Sequence, residues 1–214
     1  IIDANNGVAT LMTNRGCPFH CTYCSNHAIA RVYGEDRNIT RYNSVDRVLA
    51  EIDMLKAKYK FEKLWFIDDL FILNRKWLDE FLSKYSARFN IPFMCQIRPN
   101  LSTRDILLKL KKAGCYKIFL AVESANDYIR KVVMRRNIEK EHLENTFKWA
   151  KEAGLETLSI NIIGVPGDTA KTILETINFN KRMNPTVLGV NIFSPYEGTE
   201  LGDYCHQKGL VKKI

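Results

Sequence analysis

The sequence contains no run of about 18 apolar residues, the length that a membrane-spanning helix requires. Its first residues carry neither the basic segment nor the long apolar segment of a signal peptide, and they do not begin with Met. No linker, low-complexity segment or internal repeat interrupts the 214 residues. We therefore expect one cytoplasmic domain over residues 1–214, as a fragment of a longer protein.

The chain has only six cysteines, and three of them lie in the segment CPFHCTYC: Cys17, Cys21 and Cys24. The other three are scattered, and we expect them to pack as small apolar side chains: Cys95, Cys115 and Cys205. A disulfide scaffold distributes its cysteines densely and evenly, so this pattern excludes one. It favours a reducing compartment and a metal site at the cluster.

The formal net charge of +8 raises the question of a polyanionic partner. The basic residues are spread over helical segments such as KLKKAG and RKVVMRR. We interpret them as solvated helix faces, so nucleic acid is not the expected partner. A hydrophobic content of 46% is ordinary for a folded protein and provides enough material for a core.

Apolar segments alternate with amphipathic helical segments along the whole chain. Such an alternation predicts a parallel sheet covered by helices, an α/β fold. Ser44, Asn74 and Ser102 are predicted N-caps of three of the helices. The predicted strands are 8–16, 62–69, 93–98, 116–124, 156–164 and 186–193, and the predicted helices are 44–59, 75–89, 102–113, 126–134, 140–153 and 169–183.

Unusual polar groups follow the strands at their C-terminal ends, where parallel β/α folds carry their functional loops. Asp68 and Asp69 end the second strand, where they could belong to a functional site or could form a solvated strand end or a local cap. Arg98 ends the third strand, where it could be a salt-bridge partner at the rim or a contact to the substrate. Glu123 ends the fourth, where a salt bridge to a basic residue is the alternative role. The cysteine loop and the segments GVPGD and SPYEG complete this edge, which predicts an active site.

Three thiolates without a fourth are an incomplete ligand set for a structural metal. A structural zinc takes four ligands, and either His20 or His27 could complete a Cys₃His site. A zinc-dependent nucleic-acid-binding module and an electron carrier with a fourth cluster ligand are therefore alternatives. An iron–sulfur cluster held by three cysteines instead leaves one iron open to a small molecule, and an open coordination position indicates reactivity.

The pattern C-x-x-x-C-x-aromatic-C, with Tyr23 as the aromatic residue, resembles the signature of radical S-adenosylmethionine (SAM) enzymes. The wider sequence resembles the cobalamin-associated branch of that superfamily from about residue 8 to residue 202. The segments that carry this resemblance are TNRGCPFHCTYCSN, RYNSVDRVLAEIDML, FIDDLFILNRKWLDEF, GCYKIFLAVESANDYI and NIIGVPGDTAKTI. The family implies a partial (β/α)6 barrel, similar to a TIM barrel, over about residues 8–202.

The resemblance also implies cofactors and a chemistry. Cys17, Cys21 and Cys24 would bind three irons of a [4Fe–4S] cluster, and SAM would bind the fourth. Reductive cleavage of SAM would give methionine and a 5′-deoxyadenosyl radical that abstracts hydrogen from an unknown organic substrate. A flavodoxin- or ferredoxin-type protein would supply the electron. The branch suggests methyl transfer, in which cobalamin would need a domain upstream of this segment.

Further site residues are implied position by position. Asp68 and Asp69 stand where many members have two glycines whose carbonyls meet the methionine amine, with Leu70 in place of a glutamate. Glu123 resembles the acid that binds the ribose hydroxyls, and Ala121 stands where relatives often have glycine. Three further contacts to SAM are implied: Arg136, or the adjacent Arg135, to the methionine carboxylate, Ile162 to the adenine, and Tyr23 to the adenine through its backbone.

Overall fold

Eight strands are present in a computed structural model that describes residues 7–32, 34 and 40–211. In chain order they are β1 (Val8–Leu11), β2 (Asn14–Arg15), β3 (Arg41–Tyr42), β4 (Lys63–Phe66), β5 (Phe93–Ile97), β6 (Cys115–Glu123), β7 (Glu156–Ile163) and β8 (Val187–Ile192). Six of them form one parallel sheet in the order β1-β4-β5-β6-β7-β8, and β2 pairs with β3 in a small antiparallel ladder. The parallel sheet curls into a partial barrel, as the sequence predicts.

Helices connect the strands and cover the outer face of the sheet. They are α1 (Asn26–Val32), α2 (Val45–Lys58), α3 (Arg75–Arg88), α4 (Arg104–Lys112), α5 (Lys140–Glu152), α6 (Ala170–Met183) and α7 (Glu200–Gln207). A 3₁₀ turn spans Pro99–Leu101, and a π-helix spans Tyr128–Val133. None of the helices within the described ranges is both long and apolar enough to cross a bilayer.

The helix starts show where local sequence rules held and where one did not. Ser44 and Asn74 accept hydrogen bonds from the amides of Arg47 and Trp77, so both predicted N-caps are confirmed. The predicted cap at Ser102 is wrong. Thr103 caps α4 instead, because Pro99 starts a 3₁₀ turn that Ser102 ends, with the Ser102 hydroxyl donating to the Arg98 carbonyl at 3.1 Å.

A continuous core lies between the parallel sheet and the helices. Its densest part is a group of aromatic rings between β4, β5 and α3, with ring centroids 5.0–6.3 Å apart: Phe66, Phe71, Phe81, Tyr85 and Phe93. Aromatic pairs at such spacings add to the stabilisation that burial alone gives. This packing fixes β4 and β5, and with them the residues at their C-terminal ends.

Helices cover the parallel sheet less well at the edge formed by β8. β8 is the last strand, and its register with β7 places Val190 opposite Asn161. Val190 is 53% exposed and Ile192 is 81% exposed, whereas Asn161 on β7 is buried beneath α6. The described residues therefore leave the apolar side chains of β8 exposed at this side of the barrel.

Candidate active site

The cysteine loop lies over the C-terminal ends of the parallel strands, and Thr22 is its main anchor. The Thr22 amide donates to the Met134 carbonyl at 3.1 Å, and its hydroxyl donates to the Val133 carbonyl at 2.7 Å. The amide of Leu201 in α7 donates to the Thr22 carbonyl at 2.9 Å. The loop is thus held between the end of the π-helix and the start of α7. Sequence reasoning passed over Thr22, because its partners are more than 100 residues away.

The three clustered cysteines line one cavity. Cys17 and Cys24 are half-buried, Cys21 is 5% exposed, and all three are free thiols. Burial raises the pKa of Cys17 to about 11, and it also raises the pKa of Cys24. With its pKa at about 11, the Cys17 thiol is protonated at neutral pH when no metal is bound. A metal centre would have to supply the positive charge that holds these cysteines as thiolates.

Glu123 reaches the same cavity from the end of β6. Its φ of 63° and the register shift between β6 and β7 turn its side chain away from regular strand geometry. The carboxylate is 5% exposed and accepts a hydrogen bond from the phenol of Tyr23 at 3.0 Å. Its second oxygen, Oε2, is buried without a partner among the described residues. Burial raises the pKa of Glu123, and the nearby Arg136 guanidinium opposes the rise.

Arg136, and not Arg135, lies at this cavity. Arg136 is 6% exposed and donates from Nη2 to the Ala121 carbonyl at 2.6 Å, while its Nε is buried without a partner among the described residues. The side chain of Arg135 is 58% exposed and forms an ion pair with Glu200 at 2.7 Å. The unpartnered Nε of Arg136 and Oε2 of Glu123 leave one donor and one acceptor in the same buried site.

The two aspartates after β4 separate in the structure. Asp69 is exposed, lines the cavity and accepts a hydrogen bond from the Gly16 amide at 3.3 Å. Asp68 is fully buried and accepts from the amides of Thr13 and Asn14 at 2.6 and 2.7 Å and from the Thr13 hydroxyl at 3.0 Å. Its side chain therefore acts as a local cap and is not among those lining the cavity. Burial raises the pKa of Asp68 to about 6, against the effect of these hydrogen bonds.

Ile162 and Ile160 share a face of β7, because side chains two residues apart point the same way. Ile160 lines the cavity, and the sequence analysis did not name it. Ile162 and Tyr23 each pack against a small apolar cluster that contains Ile129 and Met134. The predicted contact of Ile162 with an adenine ring stays a prediction.

Arg98 contacts the cysteine loop, a role that differs from the salt bridge and the substrate contact predicted for it at the rim. It is 4% exposed, and no ion pair joins it to a carboxylate of the described residues. Its Nη1 lies 3.7 Å from the Cys21 sulfur, its Nε donates to Asn100 Oδ1 at 2.8 Å, and its guanidinium carbon lies 3.8 Å from the centre of the Phe19 ring.

The histidines do not complete a zinc site in the part of the chain that the structure describes. His20 is exposed, and the His27 side chain lies outside the described residues. No three Cys, His, Asp or Glu side chains of the described ranges are close enough to hold a single metal ion.

A family model described as the radical SAM superfamily matches residues 11–179. The chain belongs to the radical SAM superfamily. This superfamily uses a [4Fe–4S] cluster and SAM, so the chain is a domain of an enzyme. The three free cysteines in one cavity and the unpartnered donor and acceptor beside them fit these two cofactors.

Known relatives of this radical SAM domain include methyltransferases. It is 31% identical over 202 residues to an uncharacterized methyltransferase of Pyrococcus horikoshii, PH0819, a match that covers 94% of this chain and 42% of that protein. It is 23% identical over 212 residues to the cytidylyl-2-hydroxyethylphosphonate methyltransferase of Streptomyces wedmorensis, covering 95% and 38%. The chain thus spans less than half the length of either relative.

Solved structures resemble the radical SAM domain in fold. The methyltransferase TsrM of Kitasatospora setae, solved with cobalamin and a [4Fe–4S] cluster, superposes with a TM-score of 0.80 at 16% identity over 94% of this chain and 37% of TsrM. The cobalamin-dependent radical enzyme OxsB, solved with aqua-cobalamin, gives a TM-score of 0.65 at 18% identity over 97% and 31%. At these identities the likeness is one of fold.

Proposed function

We propose that this domain binds a [4Fe–4S] cluster through Cys17, Cys21 and Cys24 and positions SAM on the open iron. The observation that carries the proposal is that three free cysteines share one cavity with two buried polar atoms lacking partners, Glu123 Oε2 and Arg136 Nε. A buried polar atom without a partner is costly, so a site that contains two of them is built for a polar ligand. SAM offers hydroxyl donors and a carboxylate acceptor.

The residues around the cavity have distinct proposed roles. Glu123 accepts hydrogen bonds from the ribose hydroxyls through Oε2, while Tyr23 holds its other oxygen. Arg136 pairs with the methionine carboxylate through Nε. Asp69 accepts from the methionine amine, and Ile160, with Ile162 and Tyr23 beside it, provides an apolar surface for the adenine. The bound cofactors supply reductive cleavage of the sulfonium bond and a 5′-deoxyadenosyl radical, and this pocket keeps water away from it.

The overall reaction is proposed to be methyl transfer to an organic substrate. The support is that both relatives named above are methyltransferases and that TsrM and OxsB, which share the fold, are bound to cobalamin in their structures. Cobalamin would require residues outside 1–214, and a flavodoxin- or ferredoxin-type donor would supply the electron. The single core domain of residues 1–214 would then be one part of a longer enzyme in a reducing cytoplasm.

The test is anaerobic reconstitution with iron and sulfide, followed by electron paramagnetic resonance (EPR) of the reduced protein with and without SAM. We expect about four irons per chain, a reduced-cluster signal that SAM changes, and formation of 5′-deoxyadenosine. C21A should lose the signal, whereas C205A, which removes a buried cysteine outside the cavity, should keep it. If the cluster forms but SAM does not change its EPR signal and is not cleaved to 5′-deoxyadenosine, the proposal is contradicted.

The zinc-dependent nucleic-acid-binding alternative makes the opposite prediction. Protein purified in air would contain one zinc per chain and would bind DNA or RNA in a salt-sensitive manner. It does not account for the unpartnered atoms of Glu123 and Arg136 in the same cavity as the cysteines. Metal analysis of the purified protein, with C21A beside it, separates the two functions.

A further inference from the structure

Arg98 makes a contact that the proposed roles of the site do not use. Its Nη1 lies 3.7 Å from Sγ of Cys21, at the geometry of a weak N–H to sulfur hydrogen bond. Both partners are buried, with 4% of Arg98 and 5% of Cys21 exposed. The positive charge is therefore held beside a cluster-binding sulfur in surroundings that screen charge poorly.

The neighbours of Arg98 hold its guanidinium in this orientation. Nε donates to Asn100 Oδ1 at 2.8 Å, and the guanidinium lies over the ring of Phe19, 3.8 Å from its centre. Phe19 belongs to the cysteine loop itself. With one edge on Asn100, one face on Phe19 and Nη1 on Cys21, the fork is directed at the cysteine loop from the wall of the cavity that Arg98 lines.

We propose that Arg98 is a positioning residue that raises the reduction potential of the cluster by hydrogen bonding to the Cys21 thiolate. This inference rests on the proposed function. Reduction adds one electron to the cluster from a flavodoxin- or ferredoxin-type donor, and no bond is made or broken in that step. The added negative charge is shared with the sulfur ligands, so a cation donating to one of them stabilises the reduced form more than the oxidised form.

The test is an EPR-monitored redox titration of reconstituted wild-type protein and of R98Q, R98K and F19L, with dithionite as the reductant. We expect R98Q to lower the ratio of reduced to oxidised cluster about tenfold at a given potential, which is about 59 mV for a one-electron couple. R98K should fall between R98Q and wild type, because lysine keeps the charge without the fork. F19L should shift the potential less than R98Q, since the charge remains.

A matched control is R104Q, which removes the same kind of charge. Arg104 is exposed, with 62% of its side chain accessible, and it pairs with Glu152 at 2.8 Å, so its loss should leave the potential unchanged. If R98Q and R98K both titrate like wild type, the inference is wrong. If R98Q does not assemble a cluster, R98K decides the matter in the same way. Failure of the wild-type protein to bind a cluster would instead contradict the proposed function.

Discussion

The phenol of Tyr23 donates a hydrogen bond to Glu123 Oε1 at 3.0 Å, which joins the cysteine loop directly to the end of β6. The two residues are 100 positions apart, with Glu123 buried and Tyr23 half-buried. The same carboxylate keeps Oε2 buried and without a partner among the described residues. One oxygen of Glu123 thus stabilises the protein, and the other is available to a ligand.

Substitution of Glu123 should therefore weaken SAM binding more than substitution of Tyr23. In E123Q the shape is kept but the charged acceptor is lost, which should raise the Kd of the cluster-loaded domain for SAM about 10- to 100-fold, or about 1.5–3 kcal/mol. Y23F removes one hydrogen bond to Glu123 but leaves the carboxylate in place, so it should raise the Kd for SAM only about fivefold. Equilibrium dialysis with labelled SAM under anaerobic conditions measures both. Equal affinities for E123Q and wild type would remove Glu123 from the site.

The neighbouring arginines provide a second matched pair. Arg136 is buried at the cavity with an unpartnered Nε, and Arg135 is exposed and paired with Glu200. We expect R136Q to raise the Kd for SAM at least tenfold, because a buried charge-assisted contact to the carboxylate is lost. R135Q should change it less than twofold, as expected for an exposed ion pair. The same dialysis measures both, and a reversal of the two effects would identify Arg135 as the carboxylate contact.

Gly202 lies in the first turn of α7, next to Leu201, whose amide binds the cysteine loop at Thr22. A Cβ at Gly202 would clash with the Tyr196 carbonyl and would lie 2.7 Å from the Thr199 hydroxyl, which caps α7. G202A should displace the start of α7, where the Leu201 amide binds Thr22, and destabilise the domain by about 1–3 kcal/mol. The measurement is the Tm together with the iron content after reconstitution, and both should fall.

Gly189 on β8 is the control for this prediction. Its nearest atoms to an added Cβ, at Leu158 and Ser159, are 3.5 Å away, which is ordinary contact. G189A should therefore leave the Tm within about 2 °C of wild type. If G202A behaves like G189A, the start of α7 is not packed as the structure describes.

Strand order could be predicted from sequence because parallel β/α units are local. Most of the parallel strands are followed by a helix with its own N-cap, as at Ser44 and Asn74, and these local connections fix the order of the sheet. What the local pattern missed were tertiary effects. The segment predicted as one strand over 8–16 is divided after Leu11, because Asp68 binds the amides of Thr13 and Asn14 and turns the chain. The helix predicted over 126–134 is a π-helix, in which Arg130 is fully buried and donates to the Ser124 and Ile138 carbonyls.

Sequence patterns could predict the site residues that directly follow the ends of the parallel strands. The cysteines, Asp69 and Glu123 reach one cavity, as their positions after the strands indicate, and Arg136, which only the family resemblance implied, lines the same cavity. The contact of Arg98 with Cys21 spans 77 residues and depends on the orientation of a long side chain, which no spacing rule provides. The choice between Asp68 and Asp69 depends on which side chain turns towards Thr13, and a pair of adjacent aspartates leaves that open.

Asp68 should make the stability of the domain depend on pH. Its pKa in the folded protein is about 6, above the usual value of 3.8, so the folded chain binds more protons than the unfolded chain between these two values. Its contribution from proton binding is therefore fully present below about pH 4 and is lost as the pH rises through about 6. D68N cannot ionise and should lack this dependence.

Urea unfolding of the iron-free wild-type and D68N proteins measures the difference. Relative to D68N, the wild-type free energy of unfolding should fall by about 1.4 kcal/mol between about pH 5 and about pH 7.5, which is one pKa unit of linkage. The subtraction removes the contributions of the other titrating groups that the two proteins share. A constant difference between wild type and D68N would mean that hydrogen bonds from Thr13 and Asn14 outweigh burial and keep Asp68 charged throughout this range.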